Sequence, residues 1–310
     1  ISVGDTSKNL TRQITGVAAG TQATDAVNVA QLNAVNTVVN NLTTTVDANK
    51  IHFFAVNSGT SGTNYNNDGA KGTDSIAIGK ASTAADNSIA IGNGASVSDS
   101  NGGKGSGDIA IGNRAQINNY VDQSASIAIG QNVVVGLPDG GTLAYENAMG
   151  FGTNTRSYST NTIAIGNNAI AGNTDTSRTS YDANGDSAVA IGAASQSTSG
   201  FTVAIGGANS ATAIEAVAIG KNSNASAIYA VATGSGAQAT NQGNIAVGAS
   251  ANASGENAMA VGRNATTAGV RASAFGYNAV ASGGGAMAQG TNANASGSYS
   301  MSIGYDTVAS

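Results

Sequence analysis

The cassette Ser75-Ile-Ala-Ile-Gly79 constrains this chain more than any other feature, because the same five-residue pattern occurs fifteen times. Aligned on the final glycine, the copies end at Gly79, Gly92, Gly112, Gly130, Gly152, Gly166, Gly192, Gly206, Gly220, Gly234, Gly248, Gly262, Gly276, Gly290 and Gly304. From Gly192 onward every step is 14 residues. A short fixed period leaves each unit unable to bury its own apolar face, so the units must stack as coils of a solenoid. Such a coil has room for two short strands and two tight turns.

Within the cassette, strand alternation sends the first and third apolar residues to one face and the middle residue to the other. Ile76/Ile78, Ile89/Ile91, Ile109/Ile111, Ile127/Ile129, Met149/Phe151, Ile163/Ile165, Val189/Ile191, Val203/Ile205, Val217/Ile219 and Ile245/Val247 share a face. Opposite them stand alanines such as Ala77, Ala90, Ala204 and Ala218. In the second half of a unit, Asn222-Ser-Asn-Ala-Ser-Ala227, alternation puts Ser223, Ala225 and Ala227 on one side and Asn222, Asn224 and Ser226 on the other. A thin coil can then be packed from two small-residue faces, leaving the branched row outside. Burying one Ile or Val is worth roughly 1.5–3 kcal/mol, and a continuous apolar stripe of this length marks an interface. The pattern predicts an obligate oligomer whose core lies between chains. The competing arrangement puts the branched residues inside a monomeric β-helix, where the second strand offers nothing large to meet them.

Charged residues make up only 9% of the chain, and low charge combined with a strict period argues against disorder. The net charge of −5 gives no basic footprint for nucleic acid or an anionic membrane. Without cysteine there is no disulfide framework, thiolate nucleophile or zinc finger. No signal peptide opens the sequence and no apolar run is long enough to span a membrane. Starting at Ile1 and stopping at Ser310 inside the repeat rhythm, it reads as a fragment of something longer.

Residues 1–31 are polar and mixed, with Asp25 placed to cap a helix beginning at Ala26. Leu32, Val35, Val39, Leu42, Val46 and Asn49 then follow three-four spacing, the seam of a coiled coil spanning residues 32–49. So short a helix is marginal alone, so the seam points to the same oligomer as the stripe. Residues 50–74 form a connector, with Phe53-Phe54 to plug the end of the coil and a Gly/Asn/Ser-rich passage behind it. The only histidine, His52, has no partner at metal-ligand spacing and is read as packing.

At this point a resemblance becomes specific. Arg12 to Leu32 resembles the neck motif of trimeric autotransporter adhesins. Phe53 to Ser58 resembles the short HANS-type connector of that family, although Ala55-Val56-Asn57-Ser58 departs from its usual spelling. Thr73-Asp-Ser-Ile-Ala-Ile-Gly79 and its successors, residues 75–310, resemble the YadA-like head repeat. The resemblance implies a mainly β fold, a left-handed parallel β-roll solenoid in a homotrimer with a short N-terminal trimeric coiled coil. It places the branched cassette residues, with Leu32, Val35, Val39, Leu42 and Val46, in the trimer core. It further implies a signal peptide and an outer-membrane anchor in the full-length protein, and another head upstream of the neck.

Early units step by 20, 18, 22 and 26 residues, inserting loops at Val97 to Gly107, Gln116 to Gln123, Asn132 to Glu146 and Asn167 to Asp186. In or beside them lie Tyr120, Tyr145, Arg156, Tyr158, Arg178 and Tyr181, the candidate ligand-binding residues, since loops on a rigid scaffold carry function. The alternative is that the loops decorate the roll or clip adjacent chains. Asp182, Asn184 and Asp186 alternate oxygens around Gly185 as a calcium loop does, but Ala193 stands where the bidentate carboxylate belongs, which favours a hydrated turn over a metal site. The stripe is broken by Thr233, Ser273 and Gln289, whose polar groups would meet copies of themselves or water around a three-fold axis.

One histidine, no cysteine and isolated carboxylates make no acid-base pair or poised nucleophile. The sequence therefore predicts a non-enzymatic adhesin head needing no cofactor, displayed on an outer-membrane-anchored fibre. Extracellular matrix proteins, glycans, abiotic surfaces or sister fibres are its expected partners, held through avidity. A passive spacer remains the alternative. An ice-binding solenoid would show regular Thr-x-Thr rows, and a polysaccharide-cleaving β-helix a carboxylate cluster, and neither pattern is found.

Overall fold

The computed structural model describes residues 4–48, 64–99, 107–119, 125–136, 147–173 and 186–310. Two compact units divide the chain, residues 1–56 and 57–310. The first is built on helix α1, Val29–Ala48. Its N-cap is Asn28 rather than Asp25: the Asn28 Oδ1 accepts the Gln31 N–H at 3.0 Å and the Gln31 Oε1 accepts the Asn28 N–H at 3.2 Å, a reciprocal capping box. Asp25 instead closes the turn before it, accepting the N–H groups of Gln22 and Thr21, and these two bonds hold its carboxyl below the usual carboxylate range. The helix begins three residues later than a cap at Asp25 would place it, because Asp25 commits its carboxylate to the preceding turn.

The second unit is a parallel β-solenoid. The cassettes form a 15-stranded sheet from Ile76–Ile78 to Met301–Ile303, and the second halves of the units form a 14-stranded sheet from Ser96–Asp99 to Val308–Ala309. Register is copied from coil to coil, as in Val217↔Val231, Ala218↔Ala232 and Ile219↔Thr233. Each coil has two turns. One, the glycine edge, follows the cassette; the other, the return edge, leads from the second sheet back to the first.

At the glycine edge the last cassette residue sits at φ between +117° and +137° throughout, and two residues later comes a left-handed position, Asn222 at +57° or Asn264 at +58°. A Cβ on Gly262 would stand 2.3 Å from the carbonyl oxygen of Gly276 in the next coil. Only glycine meets both demands, which is why the alignment glycine never changes. The left-handed asparagines also bond along the stack, Asn264 Nδ2 to Asn278 Oδ1 at 3.1 Å, Asn278 to Asn292 at 3.2 Å and Asn292 to the Asp306 carboxylate at 2.7 Å. Asparagine suits this position twice over, tolerating the backbone and extending the ladder.

The interior is alanine. Ala204, Ala218, Ala232 and Ala246 from the first sheet meet Ala211, Ala225, Ala239 and Ala253 from the second, all fully buried. The arrangement with branched residues inside is not the one adopted. The coils before Gly166 nonetheless depart from the uniform thin core expected, because Val97, Ile117, Val133 and Val135 are buried there. Gly150 replaces the usual alanine opposite them: its Cβ would lie 2.7 Å from Val133 Cγ1. Volume removed from one strand is restored on the other.

Asn244 takes an interior place and satisfies it, its Nδ2 donating to Ala253 O at 2.6 Å and its Oδ1 accepting the Ala258 N–H at 3.0 Å. Thr267 Oγ1 is buried with no partner. Asn244→Ala is expected to lower stability by about 1–3 kcal/mol, whereas Thr267→Val leaves it unchanged or raised. Thermal unfolding of the two variants against the parent checks both.

Candidate functional surfaces

Strand alternation leaves the branched residues of the first sheet on the outside of the roll. Ile129, Ile165, Ile205 and Ile219 are 37 to 38% exposed and Ile76 47%, while the alanines between such pairs are at 0% from Ala90 onward. Ile78, Ile89, Ile91, Ile109, Ile111, Ile127, Met149, Phe151, Ile163, Val189, Ile191, Val203, Val217 and Ile245 are half-buried in the same columns, and Val247 lies at their margin. The columns are half-covered only because each side chain leans on its neighbours in adjacent coils. On helix α1, Leu32, Val35, Val39, Leu42 and Val46 are all more than half exposed. Two apolar surfaces thus stand open in the single chain.

From Gln196 to Thr266 the second sheet presents a polar, uncharged outer face, bounded by Arg156 and Ile170 on one side and Val280 on the other. Gln196, Ser210, Asn224, Gln238, Asn252 and Thr266 stack in register, and Asn224 Nδ2 donates to Gln238 Oε1 at 3.2 Å. The expected insertions shrink, because Ser96–Asp99, Gln116–Asn119, Val134–Gly136 and Ile170–Ala171 belong to this sheet. What remains of each insertion falls between a strand of the second sheet and the next strand of the first. The described ends of all four insertions therefore lie at the return edge.

Of the candidate loop residues, Tyr120, Tyr145, Arg178 and Tyr181 lie outside the described residues, as do Asp182 and Asn184, and Phe53 and Phe54 of the expected plug. Arg156 is exposed, but on a strand, where it pairs with Val134 and Ile170. Tyr158 has to be withdrawn: it is 7% exposed and its N–H donates to Ala171 O at 2.9 Å, so the roll holds it in place of offering it to a ligand. Asp186 fastens a turn, its Oδ1 accepting the Thr160 N–H at 3.2 Å and its backbone oxygen the Phe201 N–H at 2.8 Å. No cluster of three His, Cys, Asp or Glu occurs among the described residues.

Sequence reasoning missed Asn64. Its Nδ2 donates to Gly79 O at 3.0 Å and Ser82 Oγ at 2.8 Å, and its Oδ1 accepts the Gly69 N–H at 2.8 Å. It ties the segment before the first cassette to the Gly79 turn, whose carbonyl also accepts from Ser82. Only its place within the Gly/Asn/Ser-rich passage of the connector could have flagged it, and that signal is faint.

A family model described as the coiled stalk of trimeric autotransporter adhesin matches residues 13–51. A second, the YadA head domain repeat, matches 70–95, 146–169, 211–237, 239–265, 253–279, 268–288 and 281–307. The chain belongs to the trimeric autotransporter adhesins. Similar relatives include the trimeric autotransporter adhesin AtaA of Acinetobacter sp. (strain Tol 5), 47% identical over 91 residues, which is 29% of this chain and 2% of that protein. The autotransporter adhesin BadA of Bartonella henselae is 52% identical over 56 residues, 16% of this chain and 2% of that protein. This adhesin chain thus spans a small part of the length of the curated relatives it matches. Membership of the family implies a homotrimer.

Proposed function

We propose that this chain is a non-enzymatic adhesive head segment of a bacterial cell-surface fibre, anchored in the outer membrane by the full-length protein. Residues 1–31 form a neck-like segment, 32–49 a stalk segment, 50–74 a connector and 75–310 the head. The Ile/Val columns and the α1 seam make the trimer core. The observation that carries the adhesive reading is that all four insertions begin and end at one edge of the roll, where three protomers multiply each weak contact. Matrix proteins, glycans, abiotic surfaces and sister fibres are the classes of partner such loops and the polar stretch of the second-sheet face from Gln196 to Thr266 fit. Nucleic acid is not among them, given a net charge of −5.

The test compares surface adhesion of beads carrying the intact fragment with beads carrying a version whose four insertions are cut to the 14-residue rhythm. Retained trimer mass with adhesion reduced at least tenfold is the expected result. Equal adhesion would move binding to the repeat faces, and no adhesion by either would leave a spacer.

A further inference from the structure

The two edges of the roll differ from coil to coil in a correlated way. Between Gly192 and Gly248 the return edge is bulky, with Phe201, Ile228 and Tyr229 exposed, and the glycine edge is mostly small, with Ala193-Ala194, Gly207-Ala208 and Ser235-Gly236. From Gly262 onward the exchange of sizes is partial: the glycine edge holds Arg263, Tyr277 and Tyr305, and the return edge holds Gly269 and Gly283-Gly284-Gly285 together with Val270, Arg271 and Tyr299. Phe201 and Tyr229 occupy left-handed positions, φ +57° and +63°, as Glu215, Arg271 and Tyr299 do in their coils, whereas Gly243, Asn257 and Gly285 fill the same position elsewhere. Bulky side chains hold such a backbone at a cost, so something must recover it.

Four of the six charged residues in the regular coils follow the same rule, while Arg271 at the return edge and Asp306 at the glycine edge do not. The regular coils contain two glutamates, Glu215 and Glu256, both at the return edge. Lys221 and Arg263 stand at the glycine edge six and seven residues further on. A residue seven positions along a 14-residue coil is half a coil away in height, about 2.4 Å for strands spaced about 4.8 Å apart. Within one chain the strands hold the two edges apart, and the only ion pair among the described residues is Lys8 with Asp5. Glu256 accepts a bond from its neighbour Asn257 and Arg263 lies 5.9 Å from the Tyr277 ring centre, so neither has an opposite charge in its own chain.

We propose that the return edge of each protomer docks against the glycine edge of the next around the three-fold axis. Glu215 then faces Lys221 and Glu256 faces Arg263 across the boundary, and Phe201 sits between the neighbour's Ala194 and Ala208. A closed ring requires heterologous contacts, one patch meeting a different patch, and here Phe201 meets small residues and the two glutamates meet Lys221 and Arg263 within about half a coil of height. This rests on the reading of the Ile/Val columns as the trimer core, since only with the first sheet turned inward do the two edges meet.

Because the chain has no cysteine, disulfide trapping reads the contact on a clean background. The double variants Glu215→Cys/Lys221→Cys and Glu256→Cys/Arg263→Cys are oxidised mildly and run on denaturing gels beside their single variants, with solution mass measured in parallel. Both double variants are expected to pass mainly into covalent dimers and trimers while the singles stay monomeric. A trimeric mass without cross-links, or single variants that cross-link to themselves, would overturn the edge pairing alone. A monomeric mass for the parent would overturn the trimer core and the edge pairing together.

Discussion

Replacing Ile205, Ile219 and Val247 together by aspartate is expected to convert a species of about 90 kDa, three chains of 30.0 kDa, into a folded monomer. In a single chain these side chains already point outward and are 36 to 37% exposed, so a carboxylate there meets water and the alanine core beneath is untouched. Around a trimer axis the same change packs three carboxylates into each of three layers, and an unpaired buried charge costs several kcal/mol. Asn224, Gln238 and Asn252 changed to aspartate, on the outer face of the second sheet, should leave the mass at the trimer. Lowering the pH until the introduced carboxyls are protonated removes their charge and should restore assembly. Light scattering coupled to size exclusion reads all three, and a triple first-sheet variant that remains trimeric would place the stripe away from the axis.

Gly262→Ala is expected to destabilise the head far more than Gly284→Ala, although both add one methyl group to a turn. Gly262 sits at φ +137° with its Cβ position 2.3 Å from the Gly276 carbonyl oxygen, whereas nothing lies within 4 Å of the Gly284 Cβ position. Backbone strain of about 1–3 kcal/mol and overpacking of about 1–3 kcal/mol add to roughly 2–6 kcal/mol for Gly262→Ala. Gly284→Ala should be neutral or gain up to about 1 kcal/mol through the unfolded state. Thermal unfolding separates them, and equal shifts would mean the coils do not stack on this column.

The period, the choice of faces and the invariant glycine were legible in the sequence because each follows from short-range rules. Alternation along a strand decides that Ala218 and Ile219 face opposite ways before any partner is known. The alanine interior follows because the second strand offers only Ser223 and Ala225 to meet it. The seam on α1 is a matter of spacing alone. Where rules compete locally the reading slipped, as at Asp25, which closes a turn while Asn28 caps the helix.

Stacking decided the rest, since a coil's contents depend on coils far along the chain. Gly150 is explained only by Val133 and Val135 lying across the roll from it, and the burial of Tyr158 is a property of the folded roll that local pattern does not show. That all four insertions begin and end at one edge required knowing which strands enter the second sheet. The match between Glu215 and Lys221 needed both edges placed at a common height. Sequence determined what each coil is made of, and the tertiary structure determined which surfaces the coils together turn toward a neighbour, because height and side come from stacking and not from local pattern.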